Sequence, residues 1–230
     1  YHPSNLTLVI AGDLDENEIE TFLNQHLIRE KSEPHFHKLS FNEPSFVMKK
    51  KEIIQGNVSL PLFGILFKLP PYNKKQDQQK ELLKVEILLN YFFSSSGIYT
   101  EPWLKKKIIQ SGIGYYHCCN IDLNFIILYN INVDYENTIH NLLSIFDKKH
   151  WDMSKSDFTR IKNKMTGEFL KSYSEGCNLA KEFLTYHLDG CNYFKEIDKL
   201  NEITIEDVHQ VYNSICDAPS CIVIERGDAK

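Results

Sequence analysis

Nine histidines and six cysteines are the residues in this chain that could do chemistry. Their spacing limits what that chemistry can be. His35 and His37 form an H-x-H pair with Glu33 and Glu43 close by, which can be sketched as a metal cluster. They lie in a proline-bearing polar stretch, where such pairs are usually solvated side chains rather than ligands. His117, Cys118 and Cys119 are consecutive on a predicted strand, so neighbouring side chains point to opposite faces and do not share a metal. A cysteine–histidine nucleophile there has no supporting signature, and no C-x-x-C or other metal-ligand spacing occurs. One basic run, Lys105-Lys106-Lys107, is followed by Tyr115 and Tyr116. By its charge alone the run reads as a solvated helix face, with Tyr115 packed in the sheet.

The elements that carry these residues follow from period and punctuation. Leu6 to Ala11 reads as a strand ended by Gly12-Asp13, and Asp15 with Glu18 reads as the cap of a short helix through Phe22 and Leu23. Residues 30–45 are polar, hold two prolines and have no periodicity; they are predicted to be a linker. Phe46 to Ile54 and Asn57 to Lys68 read as strands, with Pro61 suggesting an edge or a bulge. Asp77 to Phe93 is predicted to be a helix, apolar nearly all round in its last turns and so buried there. Ser94-Ser95-Ser96-Gly97 breaks the chain before a shorter helix through Trp103 and Leu104. In Ile121 to Val133 the odd positions from Leu123 onward are apolar and the even ones include Asn124, Asn130 and Asn132. That alternation predicts a strand with one covered face, and Ile113 to Cys119 is its expected hairpin partner.

Helices follow: Tyr135 to Phe146, then a long one capped at Ser154 or Ser156 with Phe158, Ile161, Met165 and Phe169 on one face, which Gly176 can split. Thr204 with Asp207 caps a last helix before the strand Ser220 to Glu225. Grouped strands and grouped helices indicate an α+β fold, with helices stacked on one face of an antiparallel sheet.

Composition narrows the classes. With 230 residues, 42% of them hydrophobic, the chain can bury a substantial core. A net charge of −5 leaves no basic footprint for nucleic acid. No apolar run approaches the roughly 18 residues of a membrane helix. Six cysteines are too sparse for a disulfide scaffold, so thiols in a reducing cytoplasm are expected.

The opening "YHPSNLTLVIAGD" and the closing "APSCIVIERGD" share Pro-Ser, an apolar run and Gly-Asp. The chain therefore reads as the tail of one copy (1–29), a linker (30–45) and nearly all of a second copy (46–230). Such a tandem α+β unit resembles the pitrilysin/insulinase family of zinc metallopeptidases, the inverzincins. Tyr1, Pro3, Asn5, Leu6, Leu8, Gly12 and Asp13 fit the phrase that often closes that family's first half. "SSSGIYTEPWLKKKIIQSGIGYYH" and "ITIEDVHQVYNSI" are similar to stretches of its second half.

The resemblance implies a C-terminal, non-catalytic half. The family's zinc motif H-x-x-E-H, whose two histidines share a helix face while the glutamate activates the bound water, does not occur here. The resemblance places it in an upstream half. This chain is then expected to hold no metal and no catalytic residue, and to wall a chamber for a peptide substrate with its own upstream half or a homologous subunit as partner. An inactive paralogue, serving as partner or structural subunit of an active peptidase, is the alternative. In the family's second half an arginine, and a tyrosine seven residues on, hold substrate near the zinc. Lys105 stands where the arginine is expected, but seven residues on is Gly112, and Tyr115 and Tyr116 come later. Lysine lacks arginine's bidentate fork, so Lys105, Tyr115 and Tyr116 are the candidate substrate contacts, with Tyr115 expected to matter more than Lys105.

Overall fold

A computed structural model of the chain describes residues 5–27, 43–71, 77–119, 123–147, 150–174 and 176–227. It divides into two compact units: residues 1–40 with 164–197, and residues 41–163 with 198–230.

The larger unit holds a five-stranded sheet: β1 (Lys51–Gln55), β2 (Leu62–Lys68), β3 (Gly114–Cys119), β4 (Asn124–Ile131) and β5 (Ser220–Arg226), in the order β1-β5-β2-β4-β3. The fold is α+β as the grouping of elements predicts, but the sheet is mixed. β5 pairs antiparallel with β2 and parallel with β1. Pro61 does not mark an edge: it precedes β2, which is central, and its carbonyl accepts the Asn132 N–H at 3.0 Å. Because the proline stands outside the ladder, its missing donor costs the sheet nothing.

Phe63, Ile65 and Phe67 of β2, Ile126 and Leu128 of β4 and Ile224 of β5 are buried on one face. Helices α2 (Gln78–Phe93), α4 (Tyr135–Ile145) and α8 (Ile205–Cys216) complete that core; α2 packs on α8 and β3, and α4 on β2. Asp77 caps α2 by accepting the Lys80 N–H. Every residue from Ile87 to Phe93 is buried, which explains why that stretch is apolar nearly all round, with Asn90 the polar exception. Thr204 and Asp207 form a reciprocal capping box at the start of α8.

The short helix α3 (Thr100–Lys105) is followed two residues on by Lys107, the one non-glycine among the described residues with positive φ, 58°. Lys107 N–H bonds Leu104 O at 3.1 Å and Ile108 N–H bonds Trp103 O at 2.9 Å, a left-handed closure that favours glycine. The Lys107 side chain is exposed. Lys107→Gly is therefore expected to raise stability by about 0.5–1 kcal/mol, since it relieves the left-handed strain and loses no packing. A denaturation midpoint that falls would refute this.

The smaller unit contains α1 (Glu16–His26), the end of α5 (Lys155–Ser172), α6 (Gly176–Leu188), a 3₁₀ turn (Tyr193–Lys195) and the start of α7 (Glu196–Glu202). Asp15 caps α1 through the Asn17 and Glu18 N–H groups. Tyr193 is its buried centre, ringed by Phe169, Tyr173 and Tyr186 at 4.8 to 5.5 Å, with its hydroxyl 2.7 Å from Ser172 Oγ.

Leu6 to Ala11 is not a strand. Leu6, Leu8 and Ile10 are 66%, 64% and 48% exposed. A strand requires a ladder partner, and no strand occurs among the described residues of this unit. The closing copy of the same phrase is a strand because β5 lies between β1 and β2.

Candidate functional site

The second face of the sheet carries the row that the alternation of β4 would place inside. On β4 the buried row is the even one, Ile126, Leu128 and Asn130, continued by Asn132, while Tyr129, Ile131 and Val133 are 45%, 50% and 61% exposed. The asparagines are inside because they satisfy the carbonyls of the loop after α3. Asn132 Nδ2 donates to Ile108 O at 2.6 Å and to Thr138 Oγ1 at 2.8 Å; Asn130 Nδ2 donates to Gly112 O at 2.9 Å. Buried carbonyls without donors would cost about 1–3 kcal/mol each. With the polar row inside, the apolar row lies on the uncovered face.

That face is assembled by register. Gly64 pairs with both Tyr129 and Val223, Leu66 with both Ile127 and Cys221. Ile54, Leu62, Leu66, Ile127, Tyr129 and Val223 line a groove of about 370 Å³. Gly114 keeps the neighbouring strand close: a Cβ there would sit 2.4 Å from the Tyr129 ring.

The three candidate contacts do not converge. Tyr116 stands on the open face, 56% exposed, with its ring 6.2 Å from Phe125. Tyr115 points the other way, under α2: its hydroxyl donates to Glu86 Oε1 at 2.9 Å and accepts from Asn90 Nδ2 at 3.3 Å. Lys105 ends α3, 73% exposed and ion-paired with Glu101. Sequence reasoning missed Ile127, Tyr129 and Val223 as surface residues. Their only signal was the asparagine row, whose partners in the α3 loop cannot be read from periodicity.

His117 lies on the covered face, where burial pulls its pKa below the ordinary imidazole range. Its Nε2 is 3.2 Å from Asn124 Oδ1, and the Asn124 amide is oriented by donating from Nδ2 to Pro70 O at 2.8 Å. The neutral ring therefore donates through Nε2–H, which leaves Nδ1 as an acceptor with no partner. Cys119 is buried on the same face, and Cys118 lies on the other. None of the six cysteines forms a disulfide.

Among the described residues, no three His, Cys, Asp or Glu side chains come together as a metal site, and no helix is long and apolar enough to cross a membrane. His35, His37 and Glu33 lie outside the described residues.

The comparison with known protein families identifies the chain. Residues 1–165 match the peptidase M16 inactive domain, and the chain belongs to that family. A curated relative from Bacillus subtilis (strain 168), "Uncharacterized zinc protease YmfH", is 23% identical over 215 residues. That alignment takes in 92% of this chain and 50% of the relative, so the chain spans about half the length of the curated protein it matches. Among solved structures, a protease from Helicobacter pylori superposes with a TM-score of 0.76 at 14% identity, over 94% of this chain and 54% of that one. A chain of Complex III2 from Candida albicans does so with a TM-score of 0.68 at 15% identity, over 93% and 53%. At these identities the structures establish a shared fold.

Proposed function

We propose that this chain is the non-catalytic C-terminal half of a two-halved zinc metallopeptidase and that its open sheet face forms one wall of the peptide-binding chamber. The observation that carries the reading is the apolar row on a face left without helices, in a domain of a peptidase family. A wall that must hold varied peptides needs apolar area and few fixed charges. The groove offers Leu66, Ile127, Tyr129 and Val223.

In this reading residues 1–29 close the preceding half, 30–45 link the halves, and 46–230 are the wall. The zinc and its H-x-x-E-H helix belong to the upstream half, which is the partner of this one, and the protein works in the cytoplasm. Tyr116 meets the peptide directly. Tyr115 positions the strand by anchoring it to Glu86 and Asn90. Lys105 supplies a charge at the end of α3.

The test is Tyr116→Ala in the native protein. Peptide hydrolysis is expected to lose at least about tenfold in kcat/KM, roughly 1.4 kcal/mol of transition-state binding, with the melting temperature held. Unchanged kinetics overturn the wall.

The likeness to a chain of Complex III2 favours a second reading, an inactive paralogue acting as a structural or partner subunit. A native protein that hydrolyses no peptide, and whose assembly with another subunit weakens in Tyr116→Ala, is that paralogue. A degenerate H-x-x-E-H upstream of residue 1 points the same way.

A further inference from the structure

The open face deepens at one end. Leu66 borders the shallow groove and also a cavity of about 660 Å³, so the two adjoin. The floor of the cavity is apolar, from Leu66, Leu69 and Phe125. Four of the chain's eight prolines, Pro44, Pro70, Pro71 and Pro219, stand in its walls. Proline fixes φ, so walls built from it are already set before a ligand arrives and lose little entropy on binding.

The electrostatics restrict the occupant. Lys68 lines the cavity with its side chain only 15% exposed, and its ammonium is held by Glu43 at 2.5 Å, with Phe46 O at 3.5 Å. An acidic ligand would have to displace Glu43 to reach that cation, which costs a part-buried ion pair. A basic ligand would meet the Lys68 ammonium, although the exposed Asp217 also lines the cavity, so charge disfavours a basic group less than an acidic one. An uncharged apolar group disturbs neither, and the volume is in the range of sites that take small organic groups.

We propose that this cavity is a subsite for one bulky, uncharged apolar side chain of an extended peptide whose backbone crosses the adjoining groove. The assignment rests on the chamber-wall reading and adds to it a preference: peptides with an aromatic or large aliphatic residue are held, and those of small polar residues are not. Phe125 and Leu66 make the floor contacts.

The experiment uses the native protein with a chelator present, so that no hydrolysis intervenes, and two dye-labelled nonapeptides of Gly, Ser and Thr. One has a central Phe and its twin a central Ala; anisotropy gives both affinities. The Phe peptide is expected to bind at least tenfold tighter. Ser214, exposed on α8 and lining the cavity, donates its hydroxyl to Gln210 O one turn back, so Ser214→Trp fills the cavity from a tolerant position. It should erase the preference and leave the Ala peptide's affinity unchanged. Ala218→Phe, from the loop before β5, fills the same space should the first variant misfold. Equal binding of the two peptides by the unsubstituted protein, or a preference that survives the fillings, overturns the subsite and leaves the wall standing. Failure of both peptides to bind overturns the subsite and the wall together.

Discussion

Phe92→Ala is expected to remove about 3–5 kcal/mol of unfolding free energy. Phe92 is fully buried on α2, and five aromatic rings surround it: Tyr91, Phe93, Tyr99, Phe146 and Tyr212 at 5.3 to 6.1 Å. The cost of such a deletion depends on how far the neighbours can collapse into the void. Here they are held. Tyr212 donates its hydroxyl to Ile145 O at 2.7 Å, and Tyr91 donates to Asp152 Oδ1 at 2.9 Å. Burial raises the hydroxyl pKa of both tyrosines well above the ordinary phenol range, so these bonds keep their protons at all working pH values. Chemical denaturation gives the number, and a loss below about 1.5 kcal/mol would mean that the aromatic cluster relaxes freely.

Gly97→Ala is expected to cost about 2–4 kcal/mol, although it adds a single methyl group. The turn after α2 folds back on the end of the helix: Ile98 N–H bonds Tyr91 O at 3.0 Å and Tyr99 N–H bonds Phe92 O at 3.2 Å. A Cβ on Gly97 would stand 2.6 Å from Phe92 O and 2.8 Å from Phe93 N. Those are backbone atoms and cannot swing aside, so the turn must open and release both bonds. Gly112→Ala is the control. Nothing lies within 4 Å of its Cβ position, and its stability should stay within about 0.5 kcal/mol of the parent. Equal effects at the two glycines would refute the steric account.

Local chemistry was legible in the sequence wherever one residue acts on its near neighbours. Asp15, and Thr204 with Asp207, cap helices because a side-chain oxygen two or three residues from an open N–H needs no tertiary context. The burial of the end of α2 was legible for a similar reason, since Ile87 to Phe93 is apolar but for Asn90 and the Tyr91 hydroxyl. What depends on distant partners was hidden. The alternation of β4 identifies a strand, but which row is covered is decided by Ile108, Gly112 and Thr138, which take up Asn130 and Asn132. The parallel pairing of β1 with β5 joins segments about 170 residues apart, beyond any local signal. Leu6 to Ala11 has a strand's composition without a strand's partner. The candidate site shows the same division. Tyr115 and Tyr116 are adjacent in sequence, and only the register with β4 turns one toward α2 and the other toward the groove.

The place of β5 between β1 and β2 also orders events in time. As the chain leaves the ribosome, β2, β3 and β4 can pair as soon as they emerge, but β1 has no neighbour until residues 220–226 arrive. Until then one side of β2 is bare, with Phe63, Ile65 and Phe67 only partly covered. Closing the sheet is therefore a late, long-range step, although its loop-closure cost grows only slowly with the length of chain closed. A nascent or truncated chain that stops short of Ser220 presents an open apolar edge, the kind of surface that holding chaperones bind and that seeds aggregation.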